Sequence, residues 1–180
     1  FLDGTLNSGE ELVVSFSFTD ELGDTVEDTG EFYADYTEIS DDSASLYVDI
    51  PSGWVDVDGR AWVMDGVEVG PGLAASPDLT GYYETWATPG LFFGASTELI
   101  TSMTEEDLLD EFSFAGSCAS SERDFYDDGL YTGVWEIYED CGGTNTSFVN
   151  VAAVDLDRTF IMLVQMQVVT DADLEALDQA

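Results

Sequence analysis

Apolar residues along this 180-residue chain fall in short runs, most of them alternating with polar residues at a period of two. In "EELVVSFSFTDE", Val14, Phe16 and Phe18 alternate with Val13, Ser15, Ser17 and Thr19, which predicts a strand. Residues 20–44 are acidic with few aliphatics and read as an extended linker with aromatic anchors at Phe32, Tyr33 and Tyr36. A boundary near residue 40 then separates a front strand and linker (1–40) from a compact domain (41–180).

Within the compact part, "SLYVDIP" (45–51) predicts a strand ended by Pro51, followed by a turn at "SGW". "RAWVMDGVEVG" (60–70) predicts a strand or hairpin turning at Asp65-Gly66, and "LAAS" (73–76) is short and apolar. "SPDLTGYYETW" (76–86) predicts a helix with Ser76 as N-cap, Pro77 in first position and Leu79, Tyr82, Tyr83 and Trp86 on one face. "GLFFGAS" (90–96) predicts a strand, and "TEEDLLDEF" (104–112) a helix capped by Thr104, with Asp107 at the reach-back position of a capping box. "DGLYTGVWEIYED" (128–140) and "TNTSFVNVAAVD" (144–155) predict paired strands. "RTFIMLVQMQVV" (158–169) follows by a hairpin turn from Asp155 to Arg158, and "TDADLEALDQA" (170–180) predicts a last helix capped by Thr170. No βαβ alternation appears, so the expected class is α+β: a curved antiparallel sheet flanked by helices.

Composition changes the picture through charge. The chain carries 39 acidic residues against three basic ones (Arg60, Arg123 and Arg158), with neither lysine nor histidine, for a net charge of −36. Without histidine there is no Ser-His-Asp or Cys-His nucleophile and no imidazole metal ligand. Without lysine there is no Schiff base and no phosphate-loop lysine. So negative a surface repels nucleic acid and anionic membranes alike. No apolar run reaches the length of a membrane span, since "FIMLVQMQVV" (160–169) is short and holds two glutamines. The acid excess has three readings: a solvated, salt-adapted surface, cation binding, or attraction to a basic partner. The aspartate bias, 23 against 16 glutamates, suits the first. The chain starts at Phe1 without a signal peptide and stops within a helix pattern, as expected of a mature portion or fragment of a longer exported protein.

Candidate chemistry is sparse. The only cysteines, Cys118 and Cys141, form neither a CxxC redox pair nor a zinc set; in an export-like chain a single pair reads as one structural disulfide, the alternative being two buried thiols. Trp54, Trp62, Tyr82, Tyr83, Trp86 and Trp135 are candidates for a ligand groove, against the alternative of ordinary core packing. Asp56 and Asp58 in "DVDG", and Asp124, Asp127 and Asp128 in "DFYDDG", are candidates for a weak calcium site. Neither stretch fits an EF-hand loop, and Asp-Gly turns account for both. The arginines are expected to pair with neighbours such as Glu122 and Asp157. Asn145-Thr146-Ser147 is a formal glycosylation sequon that also reads as a strand-entry turn.

"VDIPSGWVDVDG" (48–59) resembles the entry motif of the PsbP-like superfamily, which includes the LpqN-type lipoproteins of actinobacteria. "ASPDLTGYYETWATPGLFFGAS" (75–96), "YDDGLYTGVWEIYEDCGGT" (126–144) and "VVTDADLEALDQA" (168–180) resemble an accessory domain of secreted actinobacterial proteins, often attached to a trypsin-like serine protease. The resemblance covers about three quarters of the chain. It implies a helix-flanked antiparallel sheet, export, and a binding or assembly role without catalytic residues. Residues 1–44 and the extreme acidity depart from that pattern.

The expectation is therefore a secreted or cell-surface accessory domain without a cofactor, weak calcium aside, that binds a protein or cell-envelope partner. The alternative is a subunit of an extracellular assembly that uses residues 1–44 as an inter-subunit strand, giving a homo-oligomer. A carboxylate-based enzyme is the third class; among 39 acids, pairs near a catalytic spacing arise by chance.

Overall fold

The computed structural model describes residues 32–179. The strand expected at 13–19, and the acidic stretch up to residue 31, lie outside the described residues. The elements in chain order are β1 (Tyr36–Ser40), β2 (Tyr47–Pro51), β3 (Asp56–Asp58), β4 (Trp62–Met64), β5 (Val67–Gly70), β6 (Gly72–Ser76), α1 (Leu79–Glu84) and β7 (Gly90–Ser96). A short 3-10 turn, α2 (Glu105–Glu111), β8 (Ser120–Asp127), β9 (Tyr131–Cys141), β10 (Thr146–Asp155), β11 (Ile161–Val168) and α3 (Asp171–Gln179) follow. The class is α+β. Seven strands form one open antiparallel sheet in the order β3-β6-β7-β11-β10-β9-β8, with β1-β2 and β4-β5 as separate hairpins.

Both faces of this sheet are covered, and the two central strands show it. All eight residues of β11 are buried, and so are eight of the ten in β10, which explains their near-continuous apolar sequence. Side chains alternate between faces. On the first face Val149, Val151, Met162, Val164 and Met166 pack under the β1-β2 hairpin (Val48, Ile50), Trp54 and the α3 residues Ala176 and Leu177. On the second face Ala152, Val154, Ile161 and Leu163 pack under Leu108 and Leu109 of α2 and under Trp62 of the β4-β5 hairpin. A third cluster, on the same second face, joins Tyr82, Tyr138, Phe148 and Cys141 to Trp86, Phe114 and Cys118.

Several local signals act as the sequence implied. Asp65 (φ +51°) and Gly66 (φ +79°) are both left-handed between β4 and β5, as a two-residue hairpin turn requires. The Thr104 hydroxyl accepts from the Asp107 N–H at 3.1 Å while the Asp107 carboxylate accepts from the Thr104 N–H at 3.0 Å, so the capping box is reciprocal. Cys118 and Cys141 are bonded. They stand opposite one another two residues beyond the Ser120–Glu139 pair, extending the β8-β9 register as a cross-strand link.

Other expectations are corrected. Residues 36–40, inside the stretch read as linker, form β1 and pair with β2 from Tyr36–Pro51 to Ser40–Tyr47. Tyr33 and Tyr36 do pack on the core, but Phe32 is exposed. The first helix is capped by Asp78, whose side chain accepts from the Thr80 N–H. Ser76 instead ends β6, and its hydroxyl donates to the Pro89 carbonyl at 2.7 Å. Trp86 lies beyond the end of α1, so Tyr82 is buried while Tyr83 faces outward. None of the arginines pairs with Glu122 or Asp157: Arg60 binds Asp58, Arg123 binds Glu136 and Asp110, and Arg158 binds Glu105.

Candidate functional site

The second face of the sheet is uneven, and β7 determines where. Gly90, Phe92 and Gly94 point to that face, opposite Gln167, Gln165 and Leu163 of β11. A Cβ on Gly94 would collide with the Trp62 ring, and one on Gly90 with the Tyr82 ring. The two glycines thus seat two aromatic rings directly on the strand, as glycine inside a strand permits. Phe92 stands between them, its ring centroid 5.8 Å from that of Trp62.

Two cavities open around this row, and Tyr83 lines both. The larger, about 560 Å³, lies between the β4-β5 hairpin and α1 and is lined by Asp42, Asp58, Arg60, Trp62, Glu68, Tyr83 and Phe92. The smaller, about 270 Å³, lies between α1 and the third cluster and is lined by Tyr82, Tyr83, Trp86, Phe114, Phe148, Gln165 and Gln167. The Tyr83 ring is 62% exposed and Val63, on the wall of the larger cavity, 53% exposed. The rim therefore offers apolar surface to solvent beside a rigid floor.

Buried amides fix the floor of the smaller cavity. Gln167 donates to the carbonyls of Thr85 (3.0 Å) and Thr88 (2.7 Å), holding the segment after α1 against the sheet. Gln165 donates to Asn150 at 3.1 Å, and Asn150 donates to the Phe112 carbonyl at 3.0 Å, which ties the end of α2 to the same row. The row continues across the sheet through Glu136 to Arg123. Arg123 reaches both Glu136 and, at 2.8 Å, Asp110 of α2. The two glutamines that interrupt the apolar run of β11 are thus structural anchors.

Titration behaviour follows the contacts. The Arg60 guanidinium beside Asp58 holds that carboxyl below its usual range, through hydrogen bonds of 2.8 Å and 3.0 Å from Nε. Burial pushes the Tyr82 phenol far upward, so it stays neutral. Of the three carboxylates that line the larger cavity, Asp42, Asp58 and Glu68, Asp58 is the one engaged by Arg60.

The six aromatics proposed for a groove do not form one. Trp62 and Tyr83 share the larger cavity, and Tyr82, Tyr83 and Trp86 the smaller. Trp54 is buried on the opposite face, donating its indole N–H to the Tyr33 hydroxyl at 3.2 Å, and Trp135 also packs there. The proposed calcium ligands are likewise dispersed: Asp56 and Asp58 lie on β3, Asp124 and Asp127 on β8 and Asp128 in the turn after it. Asp56 accepts from the Leu79 N–H, Asp124 from Phe125, Asp127 from Gly129, and Asp128 from Leu130 and Tyr131. Among the described residues no three acidic or cysteine side chains converge as a metal-binding group. Phe92, Glu68, Phe114 and the two glutamines were missed by sequence reasoning; the paired glycines of "GLFFG" were the available signal. No helix among the described residues is long and apolar enough to cross a membrane. The Cys118–Cys141 bond indicates an oxidising, non-cytoplasmic setting. No protein-family model and no curated protein matches the chain.

Proposed function

We propose that this chain is an exported, non-catalytic accessory domain of PsbP-like fold, carried beside a serine protease domain, that binds a protein or cell-envelope partner. The observation that carries the reading is the open face around Tyr83: exposed Tyr83 and Val63 flank the larger cavity, and the smaller one beside it, which Tyr83 also lines, is held by the buried amides of Gln165 and Gln167. Such a surface is built to be covered, not to move protons. A chain lacking both histidine and lysine supports the non-catalytic part, and the disulfide supports export. The test is quantitative affinity purification of the full-length protein from its native host, beside a Tyr83→Ala version. The expected result is a partner depleted roughly tenfold or more by the substitution, as for an interface anchor. Equal recovery from both versions contradicts the reading.

The β8 edge favours a second reading. Seven of its eight residues are exposed and no described strand lies beyond it, so the part of residues 1–44 that precedes β1 has, in another copy, a place to add. Sedimentation of the 180-residue chain as a dimer or larger, and of a chain lacking residues 1–31 as a monomer, is expected on this reading; a strictly monomeric full chain contradicts it.

A further inference from the structure

We infer that the larger cavity receives an arginine or lysine side chain from a basic segment of the partner. This rests on the reading of the same face as a binding surface. Three independent features of the cavity converge on a cationic guest. Its mouth presents the Tyr83 ring, 62% exposed, whose π face attracts a cation. Its walls carry Asp42 and Glu68, and among the described residues neither carboxylate accepts a hydrogen bond or pairs with an arginine. Its floor and back wall, Phe92 and Trp62, are apolar and suit the methylene stem of a long side chain.

The cavity's own cation is committed to another carboxylate. Arg60 lines it, and Asp42 and Tyr83 act on its charge, but its guanidinium is bound to Asp58 at 2.5 Å and its side chain is 82% exposed. The other two arginines are held by Glu136 with Asp110 and by Glu105. The chain therefore presents a partner with a strongly negative field, at a net charge of −36. Long-range attraction selects a basic partner, and the cavity gives the attraction one place to become a contact. At about 560 Å³ it has the size of an ordinary ligand site.

The experiment is calorimetric titration of the whole chain with a capped peptide alternating arginine and glycine, and with the same peptide carrying citrulline, the neutral isostere, for arginine. The inference predicts that the citrulline peptide binds at least about tenfold more weakly. Glu68→Gln and Tyr83→Ala should each lose about tenfold for the arginine peptide, and Asp42→Asn combined with Glu68→Gln should lose more. Asp157→Asn, an equal change of charge at a turn away from both cavities, should change little. If Asp157→Asn weakens binding as much as Glu68→Gln, the attraction is diffuse and the inference falls. No binding of the arginine peptide at physiological salt also overturns it. If citrulline and arginine peptides bind alike, and both are lost in Tyr83→Ala, the face is a docking surface but not for a cation: the inference fails while the binding reading stands.

Discussion

Breaking the Cys118–Cys141 bond isolates one force in this fold, because oxidised and reduced protein contain the same packing atoms. The link closes a loop with a sequence separation of 23, and the chain-entropy estimate for such a loop is about 3 kcal/mol. Cys141 is fully buried among Tyr82, Tyr138 and Phe148. In the reduced protein both thiols still fill that space, so the difference between the two forms should be the cross-link alone. A Cys118→Ala/Cys141→Ala protein also loses the sulfur contacts and should fall about 1 kcal/mol further. The assay is urea unfolding at equilibrium, with the reduced form prepared by refolding under reductant. For a chain of this size 1 kcal/mol moves Tm by roughly 2–4 °C, so reduction should lower Tm by about 10 °C. Intact mass should rise by about 2 Da on reduction. A stability difference under about 1 kcal/mol would refute the argument, as would an alanine pair as stable as the oxidised protein.

Three further outcomes follow from particular contacts. Asp173 is wholly buried and accepts from the Tyr33 hydroxyl (2.6 Å), the Thr170 hydroxyl and the N–H groups of Val169 and Thr170, so Asp173→Ala should lose about 3 kcal/mol in urea unfolding; a loss below about 1 would contradict it. Tyr33 and Tyr131 are pushed up to about 12, first by burial, and then by their bond to Asp173 and by the Asp128 charge respectively. Their raised values favour the neutral phenol in the fold, so that stability is intact below about pH 10 and lost between about 10 and 12; phenolate absorbance should rise together with unfolding, and two phenols titrating in a folded protein near 10 would contradict this. Raising sodium chloride from about 10 mM to 1 M shortens the screening length from about 30 Å to 3 Å. The arginine pairs lost to screening are worth at most about 1 kcal/mol each where exposed, so relief of repulsion among the acids should win and Tm should rise; a flat or falling Tm would show the negative surface is not strained.

Much of the sheet was legible because burial writes itself into sequence. β9, β10 and β11 follow one another as antiparallel neighbours, and their long apolar runs with turn residues between them announce that order. Thr104 and Asp107 announce a helix start because capping is local chemistry. β8 was illegible for the converse reason. As the sheet edge it buries only Tyr126, and its Ser, Glu, Arg and Asp residues answer to solvent. β1 was hidden in the acidic stretch because only Tyr36 and Ile39 of its five residues pack on the core, and their spacing of three breaks the period-two pattern that announces a strand. The site was half legible. Tyr82, Tyr83 and Trp86 are adjacent in sequence, whereas their meeting with Phe92, Gln165 and Gln167 depends on strand order, which no local pattern carries.

The central claim is that the face around Tyr83 meets a partner. It is tested most directly by site-specific photo-cross-linking, with a benzophenone side chain placed in turn at Tyr83, at Val63 and at Leu156, which is 70% exposed and lines neither cavity. In the native host the account predicts that Tyr83 and Val63 give adducts with the same partner and that Leu156 gives none. Adducts at Leu156 alone, or in equal yield at all three positions, would contradict it.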